Sequence, residues 1–244
     1  YLSYSRGCAY GCSFCYRPMP KLRYKSIDRV RKELEYLKKR NFKMAWWNDL
    51  TFTIDHDYVQ RLLDEAISVH DFRWSAFARI DSVNAEILKR MKERGCDVIL
   101  YGFESITQDI LNSYSKGTSK NDVVNAINLT KDAGIKVAGL FIIGAPEETK
   151  ETLKNLVEFC GRFKEVTRVK YLSALPGTPL YRDAVKNGII KDEVKHLEWL
   201  SREESIEDDI DKEGFRIFSP NVTKEDLRAV YRQINGMIEK RPYD

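Results

Sequence analysis

Three cysteines near the start of the chain constrain it more than any other feature. Cys8, Cys12 and Cys15 follow one another at C-x3-C-x2-C spacing, directly after a short extended run. The other two cysteines, Cys96 and Cys160, are isolated in the sequence. Cysteine thiolates are the usual protein ligands of iron–sulfur clusters, and three of them would leave one iron of a [4Fe–4S] cube without a protein ligand. An incomplete ligand set is typical of a catalytic metal site.

Other uses of these cysteines fit the sequence less well than a catalytic cluster does. A structural zinc site needs four ligands, usually as two pairs, and neither His56 nor His70 has that spacing. A disulfide framework is disfavoured because the cysteine count is odd and 244 residues can bury their own core. A non-enzymatic iron–sulfur electron carrier usually has four cysteines per cluster. A zinc site and an iron–sulfur electron carrier remain alternatives to the catalytic cluster. Gly7 and Gly11, on either side of Cys8, favour a tightly wrapped loop.

A resemblance to a known family rests on the run Arg6-Gly7-Cys8-x3-Cys12-x-Phe14-Cys15-Tyr16. This run resembles the cluster motif of the radical S-adenosylmethionine (SAM) superfamily, in which the open iron binds the amino and carboxylate groups of SAM. The resemblance implies an enzyme whose [4Fe–4S] cluster, held by Cys8, Cys12 and Cys15, reductively cleaves SAM. The resulting 5′-deoxyadenosyl radical would abstract hydrogen from a substrate, and Phe14 would pack against the adenine of SAM.

Composition and charge are ordinary for a soluble globular chain, with 43% hydrophobic and 32% charged residues. The net charge of +4 is small and dispersed, which does not favour a nucleic-acid or anionic-membrane partner. No apolar run approaches membrane-spanning length, and no signal-peptide pattern is present. Oxygen-labile thiolate chemistry indicates a reducing cytoplasm. Because the chain opens at Tyr1 rather than Met, we expect a piece of a longer protein or a trimmed chain.

Short apolar runs alternate with amphipathic helices, as they do in repeated β-α units. The predicted strands cover 1–5, 43–47, 73–79, 97–102, 136–143 and 166–173. Right-handed crossovers would wind six such units into a parallel sheet. We predict an α/β fold, a partial (β/α)6 parallel barrel over 1–190, with a C-terminal helical extension over 191–244 that packs on it. The structural alternative is a doubly wound sheet. Such a sheet would favour a Gly-rich dinucleotide loop after the first strand, where this chain has the cysteine loop.

Helix starts are predicted from capping residues. Ser26, Ser82 and Ser119 are each predicted to begin a helix, and further helices are predicted from about 55 and from about 149. The run Thr223-Lys224-Glu225-Asp226 resembles a capping box ahead of an amphipathic helix that reaches Ile238. Seven acidic residues over 203–213 predict a solvated surface.

Polar residues that could contact a ligand end several predicted strands: Asn48, Asp49, Arg79, Glu104 and Ser105. In parallel β/α folds the chemistry collects at the carboxyl ends of the strands. A ligand such as SAM needs an acceptor for its ammonium, a cation for its carboxylate and partners for its ribose. Arg79 suits bidentate carboxylate binding. The alternatives are ordinary ones, since Asp and Asn often form caps or turns and Arg79 could pair with Asp81 at the surface.

The resemblance extends to these strand ends. Trp47-Asn48-Asp49-x2-Phe52 is similar to the family's second-strand motif, which implies that Asp49, with backbone around Trp47 and Asn48, accepts the SAM amino group. Gly102-Phe103-Glu104-Ser105, with Lys116-Gly117, is similar to the fourth-strand block. It implies Glu104, Ser105 and Lys116 as contacts to the ribose or carboxylate of SAM.

The last two strands carry the resemblance further. The run from Gly139 to Thr149 resembles the fifth-strand motif, where adenine lies against backbone near Ile143, and Pro176-Gly177-Thr178-Pro179-Leu180-Tyr181 resembles the sixth-strand ending. Some members have an acidic ribose ligand where this chain has Leu140. That departure implies that Glu104 or Arg79 takes the ribose contact instead.

Within the superfamily, these motifs together are most similar to the branch that often carries an N-terminal cobalamin-binding domain. Its members include methylases of unactivated carbons and ring-forming or rearranging enzymes. Cobalamin would then be held by a domain outside this chain, which has no Asp-x-His-x2-Gly signature; such a domain either precedes Tyr1 or does not exist. The methylthiotransferase branch is the alternative, weakened by the lack of a second cysteine set and of a basic RNA-binding tail.

The resemblance implies a small-molecule or peptide substrate and a reducing partner such as flavodoxin or ferredoxin. No catalytic acid or base is predicted, and no residue identifies the substrate. Four aromatic residues near strand ends either wall a substrate pocket or belong to the core: Trp46, Trp47, Tyr101 and Tyr171.

Overall fold

The computed structural model describes residues 1–17, 19, 21–69, 72–201, 210 and 215–241. In chain order its strands are β1 (Ser5–Arg6), β2 (Arg23–Tyr24), β3 (Met44–Trp47), β4 (Arg73–Ala78), β5 (Cys96–Glu104), β6 (Lys136–Ile143) and β7 (Val166–Tyr171). Its α-helices are α1 (Ile27–Lys39), α2 (His56–Glu65), α3 (Ala85–Glu93), α4 (Gln108–Ser113), α5 (Lys120–Asp132), α6 (Lys150–Arg162), α7 (Pro179–Lys186), α8 (Glu193–Leu200) and α9 (Lys224–Glu239). From β3 onward, strands and helices alternate as the sequence predicts.

The last five strands form one sheet in the order β3-β4-β5-β6-β7, so that each lies beside its neighbours in sequence. β3 pairs parallel with β4, with Trp47 opposite Ala76, and β4 pairs parallel with β5, with Ala78 opposite Tyr101. Parallel strands joined in sequential order by helices are the construction of a barrel wall. The predicted α/β partial-barrel fold is therefore confirmed.

The first predicted strand is wrong in its extent. Of the described residues ahead of the cysteine loop, only Leu2 joins the sheet, through a parallel bridge to Trp47. The backbone N–H groups of Tyr4 and Ser5 then donate to the carboxylate of Asp49, at 3.1 and 2.6 Å, instead of to a neighbouring strand. Because backbone donors engaged in this way cannot extend a ladder, the chain leaves the sheet. β1 pairs antiparallel with β2 in a separate two-stranded ribbon.

Most predicted helix starts are confirmed. Ser26, Asp55, Thr149 and Thr223 cap α1, α2, α6 and α9, each accepting a hydrogen bond from the third residue ahead. The capping box of α9 is complete, because the Asp226 carboxylate accepts from the Thr223 backbone N–H at 2.9 Å. α5 begins directly after Ser119.

The helix start predicted at Ser82 is wrong. The Ser82 hydroxyl donates to the Arg79 carbonyl at 2.9 Å and also pairs with the Thr53 hydroxyl, so it is not available as a cap. Asn84 caps α3 instead, accepting from the Ile87 N–H at 2.9 Å. The acidic stretch over 203–213 and His70 lie outside the described residues, except that position 210 is described.

The chain forms two compact units. The first comprises Tyr1–Tyr10, Arg17–Phe103 and Asn121–Gly139, and the second comprises Gly11–Tyr16, Glu104–Lys120 and Leu140–Asp244. The core of the first unit includes an aromatic cluster in which the Trp74 ring lies 5.0 Å from Phe52 and 6.5 Å from Trp47. The core of the second unit is a buried cluster of Ile110, Tyr114, Ala145, Leu172, Ala174, Leu180, Ala184, Ile190 and Phe218.

The aromatic residues near strand ends are mostly core. Trp47, Tyr101 and Tyr171 are buried, and the Tyr101 hydroxyl pairs with the Thr130 hydroxyl at 2.8 Å. Within the second unit, α9 packs on β7, where the rings of Tyr171 and Tyr231 stack with their centroids 4.8 Å apart. The predicted division of the chain at residue 190 stays a prediction.

Candidate cofactor site

The first half of the cysteine loop is fixed by backbone contacts within the first unit. Gly7 has a φ of +94°, and a Cβ added there would lie 2.4 Å from the Lys21 carbonyl oxygen and 2.7 Å from that of Met19. The Cys8 N–H donates to the same Met19 carbonyl at 3.3 Å. Only glycine suits both that conformation and that approach, so Gly7 sets the path of the chain into the cysteines.

The second half of the loop is anchored within the second unit through Ser13. Its N–H donates to the Tyr114 carbonyl at 2.9 Å, and its hydroxyl donates to the Ser113 carbonyl at 2.8 Å. Its own carbonyl accepts from the Leu180 N–H at 3.0 Å. Phe14 packs beside it, with its ring centroid 4.8 Å from that of Tyr114. The end of α4 and the start of α7 therefore hold this half of the loop.

None of the five cysteines forms a disulfide. Cys8 and Cys12 are buried at 9% and 8% exposure, whereas Cys15 is half-buried. The remaining two, Cys96 and Cys160, are buried thiols; burial raises the pKa of both, that of Cys160 to about 12. These two are therefore inert core thiols, and the three loop cysteines are the candidate metal ligands.

Asp49 supports the entry to the loop. Its side chain is 1% exposed, and Oδ1 accepts hydrogen bonds from both the N–H and the hydroxyl of Ser5, each at 2.6 Å. Burial raises the pKa of Asp49 to about 6, and the hydrogen bonds from Ser5 and Tyr4 offset part of that rise. The neighbouring Asn48 side chain is exposed, and its backbone N–H donates to the Leu2 carbonyl at 2.7 Å.

Arg79 is buried at the end of β4 and pairs with Asp81, the alternative that the sequence left open. Its Nε and Nη2 donate to the two Asp81 carboxylate oxygens at 2.8 and 2.7 Å. The guanidinium carbon lies 3.8 Å from the centroid of the Tyr10 ring, a cation–π distance. Tyr10 stands between Cys8 and Cys12 in sequence, so this stack ties the first half of the loop to the end of β4.

In the second unit, Glu104 and Lys116 form a buried ion pair. Lys116 Nζ lies 2.9 Å from Glu104 Oε1, and the two side chains are 4% and 11% exposed. Glu104 has a φ of +64°, which is uncommon for a residue with a side chain and is typical of functional sites. Ser105 directly follows, and its hydroxyl accepts from the Thr107 N–H at 3.0 Å at the start of α4.

The turn after β6 is held by an acid that the sequence reasoning missed. Ile143 is buried, and its carbonyl accepts from the Leu172 N–H at 2.8 Å. Gly144, with a φ of +93°, donates its N–H to Glu148 Oε2 at 3.1 Å. Burial raises the pKa of Glu148. A carboxylate just before the Thr149 cap was the only signal in the sequence that could have marked this contact.

The predicted residues thus fall into separate local groups. In the first unit, Asp49 supports the chain before Cys8, and Arg79 contacts the loop through Tyr10. In the second unit, Glu104 pairs with Lys116. Two contacts of the loop, Tyr10 with Arg79 and Phe14 with Tyr114, were not predicted, because no sequence pattern marks a contact with a distant element.

The sequence of this chain matches a known protein family. The family model of the radical SAM superfamily matches residues 2–160. The chain belongs to the radical SAM superfamily. Over 195 residues it is 30% identical to an uncharacterized methyltransferase of Pyrococcus horikoshii. This alignment covers 76% of this chain and 42% of that protein. Over 206 residues it is 29% identical to the bacteriochlorophyllide d C-12(1)-methyltransferase of Chlorobaculum tepidum, covering 80% and 43%.

Among solved structures, this radical SAM chain is similar to the radical SAM methyltransferase TsrM of Kitasatospora setae with cobalamin and a [4Fe–4S] cluster bound. The TM-score is 0.70 at 19% identity, over 94% of this chain and 52% of TsrM. At that identity the likeness concerns the fold. The chain spans about two-fifths of the length of the curated relatives it matches. Over the residues that the structure covers, no helix is both long and apolar enough to cross a membrane.

The donor chemistry of the loop fits the superfamily's cluster. In the described part of the chain, no three His, Cys, Asp or Glu side chains converge on a position for a single metal ion, as a zinc site would require. In a [4Fe–4S] cube each thiolate binds a different iron, so three thiols along one loop suit a cluster better than a single ion. His56 Nε2 pairs with the Ser82 carbonyl at 2.8 Å, so that nitrogen of the ring is already engaged.

Proposed function

We propose that this chain is the catalytic core of a radical SAM enzyme and that Cys8, Cys12 and Cys15 hold its [4Fe–4S] cluster. The observation that carries the proposal is the loop itself, with three disulfide-free thiols in one backbone-anchored segment of a radical SAM chain. When bound, the reduced cluster supplies the electron that cleaves SAM into methionine and a 5′-deoxyadenosyl radical, which abstracts hydrogen from the substrate.

The protein's own residues orient the loop and shape the SAM site. Gly7, Asp49 and the Tyr10–Arg79 stack fix the approach to Cys8, and Ser13 fixes the segment around Phe14. Two nitrogens of Arg79 already donate hydrogen bonds to Asp81. We therefore propose that the main role of Arg79 is to support the loop and that binding the carboxylate of SAM is secondary.

We place the SAM contacts as the sequence predicts them. Asp49, with the backbone around Trp47 and Asn48, would meet the amino group, and Phe14 and the backbone near Ile143 would meet the adenine. The Glu104–Lys116 pair has no net charge, so it suits the hydroxyl groups of a ribose better than a charged group; Ser105 lies beside it in sequence. No residue is assigned as a catalytic acid or base.

We further propose methyl transfer, with cobalamin held outside this chain, as the first reaction class to test. The named methyltransferase relatives and the fold likeness to the cobalamin-bound TsrM support it. Ring formation or rearrangement remains the other outcome for this branch. A small-molecule or peptide substrate, an electron-donor protein and a cytoplasmic location complete the proposal, with the core over 1–190 and its extension over 191–244.

The experiment is an anaerobic SAM-cleavage assay. Protein with a reconstituted cluster is mixed with reductant and SAM, and 5′-deoxyadenosine is quantified by chromatography. Wild-type protein should form 5′-deoxyadenosine, and the Cys12→Ala protein should not. A Cys96→Ala variant is the matched control, because that buried thiol lies outside the loop and its loss should leave the iron content unchanged. Binding of a verified cluster without SAM binding or cleavage would favour the electron carrier.

A further inference from the structure

The ribbon of β1 and β2, which leads into the cysteine loop, is strongly basic. Between Tyr1 and Ile27 the sequence contains five Lys and Arg residues and no acid. The whole chain, by contrast, is nearly balanced, with 41 Lys and Arg against 37 Asp and Glu. The start of the chain is therefore a local concentration of positive charge that the small net charge conceals.

Two of these cations stand opposite each other on the ribbon. The register places Arg6 opposite Arg23 and Ser5 opposite Tyr24. Ser5 is buried, and Tyr24, although 39% exposed, stacks on Tyr58 with the ring centroids 4.8 Å apart, so this pair packs against the first unit. Directly opposed residues share a face, and the two arginines are exposed on the other one. Like charges directly opposite each other destabilise a ribbon, so folding alone does not account for this pair.

Three cations at the start of the chain have no acidic partner among the residues that the structure describes. Among the described residues, Arg6, Lys21 and Arg23 form no ion pair, and Arg23 contacts only the uncharged sulfur of Met19, at 3.0 Å. The cations that follow are paired instead, since Lys25 and Arg29 lie 2.8 and 2.9 Å from the Glu33 carboxylate. We call Arg6, Lys21 and Arg23 the basic ribbon.

The basic ribbon is continuous with the first cluster ligand. Arg6 precedes Cys8 by two residues, and the Lys21 carbonyl lies against Gly7. The Cys8 N–H donates to the Met19 carbonyl, two residues before Lys21. A protein bound on the ribbon would therefore lie next to Cys8.

We propose that the basic ribbon is the docking surface for an acidic electron-donor protein. The inference rests on the proposed function, because the cluster must receive one electron before SAM is cleaved. That electron would leave the reduced flavin or iron–sulfur centre of the donor, which would be oxidised, and would reduce by one electron the cluster that Cys8, Cys12 and Cys15 would hold. Complementary charge steers such encounters and raises their rate by about 10- to 1,000-fold at low salt.

The aromatic residue of the ribbon favours a protein over a nucleic acid as the partner. Single-stranded nucleic-acid sites combine cations with aromatic faces that are open to stacking bases. The aromatic residue of the ribbon, Tyr24, is instead stacked on Tyr4 and Tyr58. Tyr24 is 39% exposed, but its ring is engaged in these two stacks, so the three cations of the ribbon suit a compact acidic patch on another protein better than a row of stacked bases.

The test compares cluster reduction by two donors. Reduced flavodoxin, an acidic flavoprotein, and reduced methyl viologen, a small cation, are each mixed with cluster-loaded protein in a stopped-flow spectrometer without SAM. The test variant is R6E/R23E. The control is K39E/K89E, which changes the net charge equally at two exposed lysines of α1 and α3. The rate of cluster bleaching is read directly, and electron paramagnetic resonance verifies the reduced cluster.

We expect flavodoxin to reduce R6E/R23E about tenfold more slowly than wild type at low salt, with the difference shrinking as salt screens the charges. Reduction by methyl viologen, a cation, should be at least as fast as in wild type, and K39E/K89E should behave like wild type with both donors. If R6E/R23E does not fold, R6Q/R23Q carries the same test, with a smaller expected loss.

Three results would overturn the inference without refuting the proposed function. Equal flavodoxin rates in R6E/R23E and K39E/K89E would exclude docking on the ribbon. An equal loss with methyl viologen would mean that the arginines shape the cluster loop instead. Loss of binding to a labelled oligouridine RNA, with flavodoxin rates unchanged, would assign the surface to nucleic acid. A wild-type cluster that methyl viologen cannot reduce would instead refute the proposed function, and the inference with it.

Discussion

At the scale of the residue, the two glycines of the cysteine loop have different roles. Gly7 combines a φ of +94° with a backbone oxygen 2.4 Å from an added Cβ, whereas an added Cβ at Gly11 meets nothing within 4 Å. We expect Gly7→Ala to cost about 1–3 kcal/mol of local strain and to lower the iron and sulfide content after reconstitution. Gly11→Ala is the matched control and should keep both contents. Equal iron contents in the two variants would contradict this role of Gly7.

Asp49 gives a residue-scale prediction about pH. Its folded pKa of about 6 lies above the ordinary value of 3.8, so the folded state binds the proton more tightly than the unfolded state does. The stability that this group contributes is present below pH 4 and is lost as the pH rises through 6, by up to roughly 3 kcal/mol. The Asp49→Asn protein should lose less stability between pH 5 and 7.5 than wild type. Thermal midpoints of both proteins across that range test it, and parallel curves would contradict it.

At the scale of the element, the ribbon should be more stable with opposite charges. Arg23→Glu would face Arg6 with a carboxylate, turning a repulsive cross-strand pair into an attractive one worth about 0.2–1 kcal/mol. The thermal midpoint should rise by about 1–3 °C. Arg23→Gln, which removes only the repulsion, should give a smaller rise. A midpoint that falls in both variants would mean that Arg23 stabilises the ribbon through a contact other than charge.

The elements also show how far sequence reasoning reaches. β3 to β7 and the caps at Ser26 and Thr223 were predictable, because hydrophobic periodicity and capping are local. The first strand was not, because Asp49 takes up the amides of Tyr4 and Ser5 from more than forty residues away along the chain. The same limit hid the Tyr10–Arg79 stack, whose partners belong to different elements.

At the scale of the whole molecule, the cysteine motif was more informative than composition. The motif predicted the family, which the match over residues 2–160 then confirmed. Net charge, in contrast, was misleading about surfaces, because a value of +4 conceals an acid-free basic start. The substrate stays beyond the sequence, since relatives named as methyltransferases are matched over less than half of their length.

The last prediction concerns the extension over 191–244. α9 buries Leu227 and Ile234 within the second unit, at 1% and 0% exposure, and burial of such side chains is worth about 1.5–3 kcal/mol each. Beyond α9, Arg241 donates to the Cys160 carbonyl at 2.6 Å, so the end of the chain is also bound to α6. We therefore expect a chain cut after residue 190 to be insoluble or to melt well below the full-length protein. Full-length Arg241→Gln, which loses that contact but keeps α9, should lower the midpoint only slightly. If the shortened chain has the same thermal midpoint as the full-length protein and the same iron content after reconstitution, the extension does not stabilise the core. In that case α9 would serve some other part of the enzyme.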